Sequence, residues 1–432
     1  MDKQRVIDIL NSEMELATGC TEPAAIAFTA ATAAKRLKGE PVESVLVRAS
    51  GNMIKNAMAA GIPGTRYTGI EYAAAIGTLG GDPDKKLQVI VGVDPAVFPA
   101  AQKLVENRKV QVELADVTEK LYVDVTVKSA KNSVRAVISG AHTNVVLIEE
   151  NGKKVYENTA SGPKAGCVSA EEISSLLSVK KIYEFVNEID TKNDPLDIIR
   201  KSISINTAIS EEGLKNDYGL MIGKTIREEL NKGMIGNNMV SNAVCVTTAG
   251  ADARMAGAPF TVVSNSGSGN QGITTTMPVV AVAKWNHIDE DKMIRAVTLS
   301  NLIAIYIHSK FGKLSALCGA TVAATGASCG ITYLLGGDLK AIGFAIQNMI
   351  GDVTGMLCDG GKADCALKIS TCTTAAMQSA FMAMKGLRVQ KTDGIIEEDV
   401  EKSINNFTTL GNKGSVAMDS LVLQMMLQKD KQ

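Results

Sequence analysis

The chain has 432 residues, with 45 Lys plus Arg against 46 Asp plus Glu, 45% apolar side chains and only 4% aromatic ones. That length allows two or three domains and a full core, and the net charge of −1 removes any global pull toward nucleic acid or an anionic membrane. With 39 glycines and few aromatics, the core must be built from small and aliphatic side chains on closely approaching backbones.

Residues 1–14 lack the apolar run of a signal peptide, so a cytoplasmic protein is expected. Eight cysteines then read as core, metal or redox residues, not as a disulfide framework. Asp2–Met14 has a helical pattern, with Val6, Ile7, Ile9 and Leu10 on one side. After a break at 17–20, Thr21-Glu22-Pro23 reads as a helix start with Thr21 as N-cap, running to about Lys38 and stopped by Gly39. From Val42 to Tyr156 the texture becomes β-rich. Strands are expected over 45–48, 87–93, 120–128, 134–139, 144–149 and 153–156, with one helix over 95–107 and a hairpin at Asn151-Gly152.

After Ser169 the pattern is helical to the end, with helices expected over 170–178, 181–189, 194–210, 224–232, 289–310, 322–335, 339–354, 364–385 and 398–406. Leu314–Gly337 is 24 residues without a charge, but five glycines and five hydroxyl residues favour buried small-residue helices over a bilayer span. The expectation is an α+β fold. Residues 1–40 and 169–432 would form a mostly helical catalytic lobe, with 41–168 inserted as an α+β lobe containing an antiparallel sheet.

Four places carry chemistry. Cys20 precedes a helix start, where the positive end of the helix favours a thiolate; a small buried residue in a turn is the plain alternative. Cys318, Cys358, Cys365 and Cys372 offer thiolates suited to a soft metal or an iron–sulfur cluster, although their spacing matches neither a zinc pair nor a ferredoxin run, and a buried helix seam would use the same residues. Ser264–Gly272 is a loop of glycines, amides and hydroxyls able to hold an anion, or simply a connection between helices. It lacks the lysine of a P-loop and the context of a Rossmann turn. Gly51–Asn56 places Lys55 and Asn52 beside a turn, where Lys55 could bind a carboxylate or act as a base, or be an ordinary surface lysine. The histidines, His142, His287 and His308, are dispersed, and neither a zincin nor an α/β-hydrolase signature occurs.

In this order the segments 17–23, 51–56, 264–272, 317–320 and 358–362 resemble those of the L-cysteine desulfidases, over nearly the whole chain. More distantly, the C-terminal part is similar to the catalytic domain of the iron–sulfur L-serine dehydratases. The resemblance implies a 4Fe–4S enzyme that splits L-cysteine into pyruvate, ammonia and sulfide. It implies Cys318, Cys358 and Cys365 as cluster ligands. The dehydratases place more residues between their last two ligands, which leaves Cys372 and Cys329 as alternatives to Cys365. Cys20 would be the catalytic thiol or a fourth ligand, with Lys55 and His308 as other bases. Asn52, Ser264, Asn265, Ser266, Gly267 and Asn270 would hold the amino-acid substrate. No nucleic-acid or membrane partner is expected, and Gly/Ala-rich seams permit a homodimer. The rival readings are an L-serine dehydratase of the same type, a cofactor-free small-amino-acid-binding protein, and a protein with structural zinc.

Overall fold

Asp2 starts the first helix: its carboxylate accepts hydrogen bonds from the backbone N–H groups of Gln4 and Arg5. Helix α1 (Lys3–Glu13) then buries Val6, Ile7, Ile9 and Leu10. The computed structural model describes residues 2–158, 168–311 and 317–429. Most of the expected connection into the helical part, and the first residues of the Leu314–Gly337 stretch, lie outside them. Strand β1 (Leu16–Thr18) follows, then helix α2 (Thr21–Lys35). The residue that caps α2 is Cys20, one position before the expected Thr21. Its backbone is extended, at φ −83° and ψ 135°, and its side chain makes no capping hydrogen bond.

Next come β2 (Val42–Ala49), the short helix α3 (Gly51–Ala57), α4 (Ile70–Gly80), α5 (Val97–Glu106), β3 (Val110–Leu114), β4 (Tyr122–Ser129), β5 (Ser133–Ser139), β6 (Val145–Glu150) and β7 (Lys153–Glu157). The six strands form one sheet in the order β3-β2-β4-β5-β6-β7. It is antiparallel from β2 through β7, and β3 adds a parallel edge to β2. Asn151 and Gly152 both take positive φ, at 51° and 76°, as a two-residue hairpin turn requires. The expected strand over 87–93 does not form. Residues 83–88 make a 3₁₀ turn, and both edges of β2 are already taken by β3 and β4. Val89 and Ile90 are buried from this turn instead.

Helix α2 joins the sheet side. Ala27, Ala30, Ala31 and their neighbours share a hydrophobic cluster with Val45, Val47, Val123 and Val125 of the sheet and with Ala73–Ile76 of α4. The two helices meet so closely that a Cβ on Gly77 would lie 2.3 Å from the carbonyl oxygen of Ala27. The sequence pattern groups 1–40 with the C-terminal helices; the core contacts of α2 are with the sheet, whereas α1 shares the core of those helices.

The rest of the described chain is helical: α6 (Ala170–Leu176), α7 (Val179–Glu188), α8 (Asp197–Lys215), α9 (Ile222–Asn231), α10 (Met239–Met255), α11 (Gly269–Trp285), α12 (Glu290–Phe311), α13 (Gly319–Leu334), α14 (Leu339–Val353), α15 (Cys365–Met384), α16 (Val400–Thr409) and α17 (Val416–Lys429). One short strand, β8 (Thr261–Val263), pairs antiparallel with β1, setting Leu16 opposite Val263 and Thr18 opposite Thr261. Helix α13 packs against α11, α12, α14 and α15 and is buried along almost its whole length. Such helices can carry hydroxyl residues because many of the hydroxyls bond back to a carbonyl one turn earlier: Thr247 to Ala243 at 2.7 Å, Thr298 to Ile294 at 2.7 Å, Thr332 to Ser328 at 2.7 Å. Among the described residues, no helix is long and apolar enough to cross a membrane.

Candidate functional site

The β1–β8 pair carries the chain from α1 to Cys20 and anchors it beside the end of α10. Gly19 takes φ +72° there and lies so close to Pro63 that a side chain would collide with the ring. Cys20 packs with Ala60 and Met255, and Cys365 packs against the same group. A second junction lies alongside. Leu317 and Leu357 form an antiparallel bridge, and the N–H of Cys318 donates to Met356 O at 2.9 Å. The bridge sets Cys318 opposite Met356, and Cys358, two residues on, is near enough to act on the Cys318 thiol.

Three of these thiols stand at helix N-termini. Cys20 and Cys318 are the N-caps of α2 and α13, and Cys365 opens α15. That placement favours the anionic form, but burial works against it. Burial pushes up the Cys318 thiol, and its neighbours Cys358, Cys372 and Cys365 add to the rise. Cys365 is pushed up to about 11, mainly by burial, with Cys358 again contributing. Burial also raises Cys20, while the Arg254 guanidinium beside it pulls the other way. The expected activation of Cys20 by its helix is therefore outweighed in the protein alone.

Among the described residues, no three His, Cys, Asp or Glu side chains stand together as the ligands of a single metal ion. A cluster of several iron atoms takes its thiolates further apart than one ion does. The donor set fits that case, since Cys318, Cys358 and Cys365 are soft donors, and Cys358 is near enough to push up both the Cys318 and the Cys365 thiols. Of the alternatives, Cys372 neighbours Cys318 and contacts the sulfur of Met356 at 3.4 Å. Cys329 is buried three turns further along α13, roughly 16 Å from Cys318 at 1.5 Å per residue.

The loop between Cys358 and Cys365 is held rigidly. Asp359 pairs with Lys362 at 2.7 Å and also with Lys368. Burial alone would raise its carboxyl, but the two lysines hold it at about 2. Gly360 takes φ +99°, and a Cβ there would lie 2.1 Å from the carbonyl oxygen of Lys55, so α3 is seated directly on this loop. Lys55 is buried; it pairs with Asp419 of α17 and donates to Cys358 O at 3.5 Å. Its charge is thus already engaged. Asn52 lines a cavity of 170 Å³ with Ser50, Lys55, Glu119 and Asp419. His308 lies on α12, its imidazole driven down to about 4 by burial.

The loop Ser264–Gly272 divides in two. Its first half ties the fold together. The Ser264 hydroxyl donates to Glu15 O at 2.9 Å, Asn265 bonds the Asn301 side chain at 2.9 Å, the Ser266 hydroxyl bonds Asn265 at 3.0 Å, and Gly267 turns with φ +78°. Its second half opens α11 and faces the thiols. Asn270 accepts from Arg254 at 3.1 Å, and the side chain of Gln271 would stand 3.1 Å from a Cβ on Gly319, next to Cys318.

Two charged residues of α10 escaped sequence reasoning, Asp252 and Arg254. The signal was present as two charges within a run of small residues, 243–258. Asp252 is buried, accepts from the Gly223 N–H at 3.0 Å, and leaves Oδ1 without a partner. Burial raises its carboxyl to about 6, against the backbone N–H bonds that lower it. Between the ordinary carboxylate value and 6 the folded protein keeps a proton that the unfolded chain has lost, so this group makes stability fall as pH rises through that window. Asp252→Asn should remove a decline on the order of 3 kcal/mol, seen as a flatter urea midpoint from pH 4 to pH 7 than in the unsubstituted protein.

Thiols, a buried cation and the N-termini of α2, α11, α13 and α15 thus meet in one place, which describes a site for an anionic ligand or metal cluster inside a two-part α+β chain. Residues 99–424 match the family model described as serine dehydratase alpha chain, and the chain belongs to that family. It is also 41% identical to a UPF0597 protein of Porphyromonas gingivalis, covering 99% of both chains. A UPF0597 protein of Oleidesulfovibrio alaskensis is 41% identical over 98% of both chains, and one of Bacteroides fragilis 41% over 99% of both.

Proposed function

We propose that this chain is an iron–sulfur lyase that breaks L-cysteine into pyruvate, ammonia and sulfide. The observation that carries the reading is the packing of Cys365 against the buried group formed by Cys20, Ala60 and Met255, which brings the candidate base and a candidate cluster ligand to one small group. Cys318, Cys358 and Cys365 would hold a 4Fe–4S cluster, with Cys372 as the alternative third ligand. When bound, the cluster supplies a Lewis-acidic iron that makes sulfide a better leaving group.

The chain's own residues do the rest. Sγ of Cys20 takes the proton from Cα, and Arg254 beside it favours the thiolate against the effect of burial. A thiolate kept from water is also a stronger base than an exposed one. Lys55, clamped to Asp419, holds the Cys358 loop against α3. Loss of the Cα proton and of sulfide leaves aminoacrylate, which tautomerises and hydrolyses to pyruvate and ammonia without further help. In this reading the enzyme acts in the cytoplasm on a free amino acid.

The family's description favours a second reading, L-serine as substrate with hydroxide leaving. Anaerobic purification with iron and sulfide analysis, followed by pyruvate assays on L-cysteine and L-serine, tests both. About four irons per chain, with faster turnover of L-cysteine, is the expected result; faster turnover of L-serine would shift the substrate, and an iron-free, inactive protein after reconstitution would end the lyase reading.

A further inference from the structure

Arg254 is 5% exposed. Its guanidinium donates to Gly19 O at 2.9 Å and to the Asn270 side chain at 3.1 Å, and lies 3.6 Å from the Met255 sulfur. None of these partners is a carboxylate, and Nε has no partner at all. Burial holds the neighbouring Cys20 thiol toward its neutral form, and no carboxylate offsets this buried cation, which is costly. Arg254 is pressed onto the first turn of α11, where a Cβ on Gly269 would lie 2.2 Å from Nε. Ser268 caps the Gln271 N–H of that turn, and the positive end of the α11 dipole adds partial charge of the same sign beside Arg254. On this turn Gln271, 4% exposed, leaves its Oε1 without a partner. A donor of positive charge and an unused acceptor, both buried beside Cys20 and Cys318, are the complement of one small zwitterion.

We propose that Arg254, with the first turn of α11, is the receptor for the carboxylate of an α-amino acid, and that Gln271 accepts from its ammonium group. The choice of an amino acid rests on the lyase reading; the demand for an anion rests on a buried guanidinium that has no carboxylate partner and leaves its Nε unpartnered. This placement assigns the carboxylate to Arg254 and the first turn of α11 rather than to the side chains of Ser264, Asn265, Ser266 and Asn270, which are bonded within the fold. It also leaves Lys55 outside the receptor, since Asp419 already neutralises it.

L-Alanine is the probe, because it carries both groups and nothing to eliminate; L-alaninamide keeps the ammonium and lacks the carboxylate. Calorimetric titration of the anaerobically purified protein is expected to show L-alanine binding and at least tenfold weaker L-alaninamide. Arg254→Gln should weaken L-alanine by about 30-fold or more and leave L-alaninamide within twofold. Arg254→Lys should fall between, since it keeps the charge but loses the fork. Should both variants unfold, equal affinity of the unsubstituted protein for the two probes still overturns the proposal. L-Alanine affinity within twofold in a folded Arg254→Gln also overturns it, even if L-cysteine is turned over. Binding that depends on Arg254, in a protein that eliminates neither L-cysteine nor L-serine, would support the receptor and sink the lyase.

Discussion

Alanine at Cys318 or at Cys358 is expected to abolish iron binding and pyruvate formation together. With three thiolates as the whole protein ligand set, loss of either leaves the set short, and the Leu317–Leu357 bridge fixes the positions from which Cys318 and Cys358 act. The fold should survive. Each change removes one sulfur atom, and the capping of α13 uses no side-chain hydrogen bond from Cys318. Destabilisation should stay within about 1–2 kcal/mol, so iron content measured on folded protein isolates the ligand role. The same assay separates Cys365 from Cys372: iron kept in Cys365→Ala but lost in Cys372→Ala would reassign the third ligand. Iron at full stoichiometry in Cys318→Ala would remove the cluster from this site.

Cys20→Ser should behave differently. Iron content is expected to match that of the unsubstituted protein, while kcat falls roughly 10²–10⁴-fold, the range for loss of a general base. KM for L-cysteine should change little, because Arg254 and the first turn of α11 remain in place. Serine is nearly isosteric but far less acidic, so it keeps the packing against Ala60 and Met255 without offering an anion. Loss of iron in this variant would make Cys20 a fourth ligand instead, and unchanged kcat would exclude it as the base.

The helices with one apolar face were readable from sequence, as α1 and α7 show, because a mixed polar and apolar surface leaves a 3.6-residue rhythm. Helices α10 and α11 were not, since they are buried on nearly every side by Ala, Thr, Gly and Val and leave no rhythm to read. The apolar run 87–93 was misread for a related reason: a short buried segment looks the same as a strand or as a turn. In the site, the cysteines announced themselves by residue type. Arg254 did not, because its meaning lies in what it lacks, and only tertiary structure shows a guanidinium without a carboxylate. Conversely, Ser264 and Asn265 looked like ligand groups until their bonds to Glu15 and Asn301 became visible.

The pairing of β1 with β8 has a bearing on how the protein is made. The segment before Cys20 gains its partner strand only when Thr261–Val263 is available, and the group of Cys20, Ala60 and Met255 gains Cys365 later still. At about 5–20 residues per second, the ribosome delivers the second thiol on the order of tens of seconds after the first. Throughout that interval the early thiol lacks part of the packing that buries it, and nothing that needs both halves of the site can be installed. Maturation of the site is therefore an event of the finished polypeptide, and premature oxidation of Cys20 is the error that the reducing conditions of synthesis must prevent.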